Sequence, residues 1–253
     1  MPSMMGNEEY SGGIKTAAEA KQMCVLGNRM LAMAHILDAF GHVSVRNPER
    51  PDTFYISWAT SPEFVTVDDL QLCDFDGNVL ENADRRAYGE RILHARIFKA
   101  RPDVNAVCHG HPSSLLPFLC TDIPLEAVTA GGAIFYEGVP VLKEWDPESG
   151  LHIATIPAGD SLAETLGNKR AALIRNHGMV TVGEYVEQLV VISTALSGCA
   201  ESLARLLPLG VKINYLSTEE AKLASEASLG AIGIERSWNY RLKKLKEMFP
   251  DLQ

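Results

Sequence analysis

The sequence predicts an α/β fold in which one mixed, mainly antiparallel sheet lies between layers of helix. Three observations predict it. Helical and strand-like patterns interleave along the chain. Several neighbouring strands are joined by turns too short for the crossover that parallel pairing needs. The chain has 253 residues, 46% of them apolar and 22% charged, which suits one large globular domain. Residues 1–13, MPSMMGNEEYSGG, read as a flexible lead-in, leaving 14–253 as that domain.

Each element follows from a local signal. Leu26, Met30, Met33 and Leu37 recur at the spacing of an amphipathic helix, expected over about 14–40 with Gly41 as its terminator. HVSVR alternates as a strand does, and FYIS is a second short strand. DLQLCDFDGNVLE reads as a hairpin through Asp-Gly-Asn. A helix over about 89–100 is stopped by Arg101-Pro102. AVCHGH is a buried strand closed by Pro112, with a short helix from Ser113. GVPVL is another strand. Ser161 and Glu164 resemble a capping box for a helix over LAETLG. ALIRNHGMVTVG reads as strand, turn, strand. A long helix spans about 186–207, Ser217 and Glu220 cap another, and the last, about 235–248, carries Trp238 and Tyr240.

The formal net charge is -9 and the pI about 5.3. A chain so acidic does not suit non-specific nucleic-acid binding, which neutralises phosphates with Lys and Arg. No uninterrupted apolar run approaches the ~20 residues of a membrane-spanning helix. The N-terminus lacks the basic-then-apolar pattern of a secretory signal. Cys24, Cys73, Cys108, Cys120 and Cys199 are odd in number and form no CxxC pair, as expected in a reducing cytoplasm.

The chemistry concentrates in a few residues. His109 and His111 are two apart in an expected strand, so both rings project from one face and can converge on one metal ion. Cys108 then points the other way. Gly110 allows close approach from the opposite face, and Pro112 places the pair near an edge. His177 lies in the turn Arg175-Asn176-His177-Gly178, where Gly178 is expected to supply backbone freedom. Glu90 opens the helix that feeds the His109 strand and is an oxygen ligand or an acid/base group. Three imidazoles and a carboxylate suit zinc, with manganese or cobalt as alternatives. His94, four residues after Glu90, is the rival in the same helix and could simply pair with it. His35 and His152 read as ordinary helix and loop residues.

These stretches, GHVSVR at 41–46, GERILHARIFKARPDVNAVCHGHP at 89–112 and RNHGMVTVG at 175–183, resemble the class II aldolase/adducin family over about 18–245. The resemblance implies a three-layer α/β/α fold. It also implies a divalent metal at His109, His111 and His177, with Glu90 as fourth ligand or catalytic acid/base. It implies a homotetramer with active sites at subunit interfaces, where Trp238 and Tyr240 would serve as plain interface residues or help close a neighbour's site. Where sugar-phosphate aldolases of the family carry GNxS, Thr-Gly and Ser-Ser-Glu, this chain has Gly41-His42-Val43-Ser44, Ala59-Thr60-Ser61-Pro62 and Tyr88-Gly89-Glu90. Proline has no N–H to offer a phosphate. The pattern is therefore closer to the decarboxylase branch, which acts on hydroxy-aromatic or heteroaromatic acids. On that reading His42, Ser44, Arg46 and Ser61 are the expected substrate contacts, Arg46 gripping a carboxylate. Aldol cleavage of a sugar or sugar phosphate is the alternative. A non-catalytic adducin-like module is the third reading, and it has no use for the retained ligand set.

Overall fold

The computed structural model describes residues 13–148 and 150–250; apart from Gly13, the expected lead-in lies outside the described residues. Eight strands form one sheet: β1 His42–Arg46, β2 Thr53–Ser57, β3 Leu70–Asp74, β4 Val79–Glu81, β5 Ala106–Gly110, β6 Val141–Leu142, β7 Ala171–Ile174 and β8 Gly178–Gly183. Their spatial order is β4-β3-β2-β1-β5-β8-β7-β6. Every neighbouring pair is antiparallel except β6–β7, which is parallel. The helices are α1 Ala17–Met33, α2 Arg91–Ala100, α3 Leu116–Leu119, α4 Ile156–Leu166, α5 Val186–Leu206, α6 Thr218–Leu229 and α7 Ala231–Met248.

Strand alternation sorts side chains into two cores. Val43, Val45, Ala106, Cys108 and Met179 pack with α1, α5 and α7. Phe54, Ile56, Val107, Val180 and Val182 pack with α2 and α4 on the other face. The three layers expected from the family resemblance are therefore present, and Cys108 does face away from the histidines. Helix α5 is long and apolar enough to cross a membrane by composition alone. Here its Leu189, Val190, Ile192 and Leu196 are buried in the core beside the sheet.

Several boundaries differ from expectation. Helix α1 ends at Met33, not near Phe40. His35 takes a left-handed backbone (φ 55), with His35 N–H on the Ala32 carbonyl and Ile36 N–H on the Leu31 carbonyl. This is a Schellman closure with histidine where glycine is usual. Leu37 is still buried, but in the turn beyond the helix. Helix α4 starts at Ile156, because the Thr155 hydroxyl accepts the Ala158 N–H and Pro157 sits in the first turn. Ser161 and Glu164 lie mid-helix and cap nothing. The Ser217–Glu220 capping box forms as expected. Trp238 is only 7% exposed and belongs to the chain's own core, so it is not free to close a neighbour's site; Tyr240 is exposed.

Candidate metal centre and substrate cavity

Strand register builds the centre. His42 of β1 lies opposite His109 of β5, and Val180 of β8 is His109's other neighbour. Fully buried His109 thus stands at the middle of the sheet, near the ends of three strands. His111 follows one residue past the end of β5, and His177 sits in the β7–β8 turn. That turn reverses through Asn176 (φ 56), not through Gly178, whose φ is not positive. Gly178 is required for space. A Cβ there would lie 2.6 Å from the Gly110 carbonyl oxygen and 2.7 Å from His111 Cδ2. Gly110 allows the close approach expected of it: a Cβ would sit 2.6 Å from the Ile36 carbonyl oxygen. The two glycines let strand ends bring three imidazoles together.

The donor atoms of His109, His111 and His177 lie within 4.8 Å of one another. His109 Nδ1 lies 3.0 Å from the Met179 carbonyl oxygen, which can only accept, so Nδ1 carries the proton. His111 Nδ1 lies 3.2 Å from Asp38 Oδ1 and is protonated for the same reason. Both Nε2 atoms are then lone-pair donors, and they face each other at 3.1 Å. Two lone pairs held at that distance repel unless a cation sits between them, so the residues fit a divalent metal. His177 Nδ1 is buried and has no hydrogen-bond partner.

Glu90 is the N-cap residue of α2 and does not cap it. Its side chain turns to the histidines. Oε1 accepts the Ile153 N–H at 3.0 Å and lies 3.7 Å from His177 Nε2, while Oε2 lies 3.5 Å from His109 Nε2. Burial alone would raise this carboxyl, but the facing imidazoles of His109, His177 and His42 outweigh it. A proton entering the cluster rests on one of these imidazoles and not on Glu90, which stays well below the usual carboxylate range and is ionised. Burial, and then the repulsion that a proton on His109 would add, pushes His177 down to about 4 and His42 down to about 3, so both are neutral near pH 7.

The other expected site residues divide. His42 lies beside the centre, its ring 5.3 Å from His109 and 4.3 Å from Tyr88. Ser44 does not face the cavity, because its hydroxyl is 2.6 Å from His94 Nδ1. Arg46 is not brought to the centre at all. Its guanidinium donates to the carbonyls of Pro51, Phe98, Val104 and Arg101 and stacks on Phe75 and Phe98. Ser61 lines a cavity of about 810 Å³ beside Glu90, together with Thr60, Arg86, Tyr88, Phe40 and His152.

Three residues of this region have no clear signal in the sequence. His152 Nδ1 lies 3.8 Å from Glu90 Oε1 and its ring 5.4 Å from His177. It arrives on the same loop whose Ile153 N–H holds Glu90. Arg86 lines the cavity with no ion-pair partner among the described residues. Buried His94 bonds His42 and Ser44, and pairs with neither Glu90 nor the metal donors. The spacing of Arg86 and Tyr88 from Glu90 is the one hint, since alternate residues of an extended segment share a side.

One buried and two partly buried imidazoles with an ionised carboxylate, at the strand ends of this sheet, form the donor set of a metal-dependent lyase. The chain belongs to the family described as Class II Aldolase and Adducin N-terminal domain, which matches residues 21–204. It is 32% identical over 181 residues to "Decarboxylase tropJ" of Talaromyces stipitatus, covering 66% of this chain and 68% of that protein. It is 25% identical to the "3,4-dihydroxyphthalate decarboxylase" of Arthrobacter keyseri over 91% of this chain and 95% of that one. Its fold matches the L-fuculose 1-phosphate aldolase of Glaciozyma antarctica with a TM-score of 0.78 at 22% identity, covering 92% and 91% of the two chains.

Proposed function

We propose that this protein decarboxylates a hydroxy-aromatic or heteroaromatic carboxylic acid, using a divalent metal held by His109, His111 and His177 with Glu90 beside it. The loop facing Glu90 carries the reading. A phosphate cradle needs free backbone N–H groups. Here the Ala59 N–H is bonded to the Arg86 carbonyl and the Thr60 N–H to the Trp58 carbonyl. Pro62 has no N–H, and the phenol of Tyr88, bonded to the Thr60 carbonyl, stands where small hydroxyls would serve a phosphate. The cavity suits a flat ring bearing carboxylates better than a sugar phosphate. The decarboxylase relatives support the same choice.

When bound, the cation acts as a Lewis acid towards negative charge developing on the substrate as carbon dioxide leaves. Zinc suits this donor set best, and manganese or cobalt are alternatives. The chain's own groups do the rest. Glu90, ionised and anchored by the Ile153 N–H, takes the proton that the substrate's hydroxyl gives up and delivers it to the carbon that loses the carboxylate, and the phenolate regains a proton from water. Arg86 takes the carboxylate-holding role expected of Arg46, and Ser61 supplies a hydroxyl at the same wall. His42 faces the substrate at the metal. Five free cysteines, four of them buried, accord with a cytoplasmic location. Exposed apolar residues on the C-terminal helices, among them Leu223 and Ile232, are the surface we assign to a homotetramer, which light scattering would measure.

The test uses protein purified without a polyhistidine tag and loaded with zinc or manganese. Carbon dioxide release is expected from some member of a panel of hydroxybenzoic, dihydroxyphthalic and hydroxypyridine carboxylic acids. Aldehyde release confined to fuculose 1-phosphate would instead establish aldol cleavage, which the shared fold favours as the second reading. The two reactions use the metal alike, to stabilise a developing carbanion. The intact donor set argues against an adducin-like scaffold.

A further inference from the structure

Behind the metal centre lies a chain of three buried polar side chains. Ser44 Oγ is 2.6 Å from His94 Nδ1, and His94 Nε2 is 2.7 Å from His42 Nδ1. Ser44 and His94 are 0% exposed and His42 is 1% exposed. The chain ends at His42 Nε2, a buried atom with no hydrogen-bond partner among the described residues. Elsewhere in this core buried side-chain polar atoms are mostly paired, as physical cost demands.

The hydrogen count decides which way the chain points. With both rings neutral, each carries one N–H, and the serine carries one O–H. In one polarity the Ser44 hydroxyl donates to His94 Nδ1, His94 Nε2–H donates to His42 Nδ1, and His42 Nε2 carries a hydrogen. In the other polarity every bond reverses. Ser44 then accepts, and its own hydrogen has no acceptor, since His94 is its only hydrogen-bond partner among the described residues. Burying an unsatisfied hydroxyl hydrogen is unfavourable. The first polarity leaves its unsatisfied hydrogen at His42 Nε2, the one position of the chain beside the metal donors, with the His109 ring 5.3 Å away.

We infer that Ser44 and His94 are positioning residues that hold His42 as its Nε2–H tautomer, a neutral donor reserved for an anionic oxygen of the substrate at the metal centre. The inference rests on the proposed decarboxylase reading for the identity of that oxygen. It assigns Ser44 to the ring behind His42 and not to the substrate. It also means that His42 is not a fourth imidazole ligand, because a protonated Nε2 has no lone pair to give. The gain is selectivity: an N–H donor favours carboxylate or phenolate oxygens, and a site built to donate rejects analogues lacking the acceptor.

Nitrogen NMR of the zinc-loaded holoenzyme, labelled with 15N-histidine, reads the tautomer directly. His42 is assigned by the signals lost in His42→Asn. The expected result is a protonated, pyrrole-type Nε2 and a pyridine-type Nδ1. A pyridine-type or zinc-shifted Nε2 overturns the inference. Ser44→Ala removes the donor that sets the polarity, so the His42 pattern is expected to invert or become mixed. Salicylate affinity, measured by calorimetry, is expected to fall about 10-fold with zinc content unchanged. Ser44→Thr, which restores the hydroxyl, is expected to restore both. An unchanged His42 spectrum in folded, zinc-loaded Ser44→Ala overturns the role of Ser44. These readouts need no turnover. If no aromatic acid is decarboxylated while the tautomer is as expected, the decarboxylase reading fails and the positioning of His42 stands.

Discussion

The two ends of β1 carry side chains on the same face of the sheet yet do opposite things. At one end Arg46 has its guanidinium bonded to four backbone carbonyls and stacked on two rings. At the other, four residues earlier, His42 ends in a buried nitrogen with no partner. Both are polar groups in a poor environment for charge. Where the chain closes its own hydrogen bonds, the residue ties loops to the sheet. Where it withholds a partner, we infer that the partner comes from the substrate. The difference separates Arg46 from the substrate-facing role proposed for His42 more sharply than residue type does.

The largest expected effect belongs to the open end. His109→Ala or His111→Ala should abolish metal retention and cut turnover by ~10³-fold or more, measured by elemental analysis and carbon dioxide release. Chelation should lower the melting temperature of the wild type but not of these variants. A variant that keeps full metal would break the comparison at its root. Next is Glu90→Gln, expected to slow turnover by ~10²-fold with metal content largely kept. Retention of most of the rate would remove its acid/base role and leave it a ligand at most.

At the closed end, Arg46→Met should destabilise the fold by about 2–4 kcal/mol, through carbonyls left without donors. Turnover per folded molecule should be nearly unchanged. Urea unfolding alongside kinetics separates the two, and a stable but inactive variant would restore Arg46 to the site. The smallest effect sharpens the contrast between two arginines. Arg86→Gln should raise KM by about 10-fold with little change in kcat or stability. An unchanged KM across substrates with one and two carboxylates would leave Arg86 a surface charge.

Legibility followed the range of the forces involved. HxH two apart in a strand placed His109 and His111 on one face because strand alternation is local, and the Ser217–Glu220 box capped its helix for the same reason. The expected span of α1 overran the helix because the apolar periodicity continues through Leu37, which is buried but beyond the helix. Nothing in the local pattern marks His35 as the left-handed residue that ends it. Gly178 was legible as a required glycine, but for the wrong cause: the constraint is the Gly110 backbone across the sheet, a neighbour distant in sequence. His152 read as an ordinary loop residue and His94 as a partner for Glu90, because a histidine declares its role only through what faces it.

The sequence by itself determined the interleaved elements, the mainly antiparallel sheet between helices, and a trio of histidines with a glutamate whose types suit a divalent metal. These depend on periodicity, turn chemistry and donor atoms, all properties of short stretches. Only the tertiary structure decided that Arg46 is bound to carbonyls, that Ser44 serves His94 and not the cavity, that Trp238 is core, and that Arg86 and His152 reach Glu90's surroundings. Those outcomes depend on which partner a polar group meets across the fold, and a buried polar group takes whichever partner the packing brings within about 3 Å.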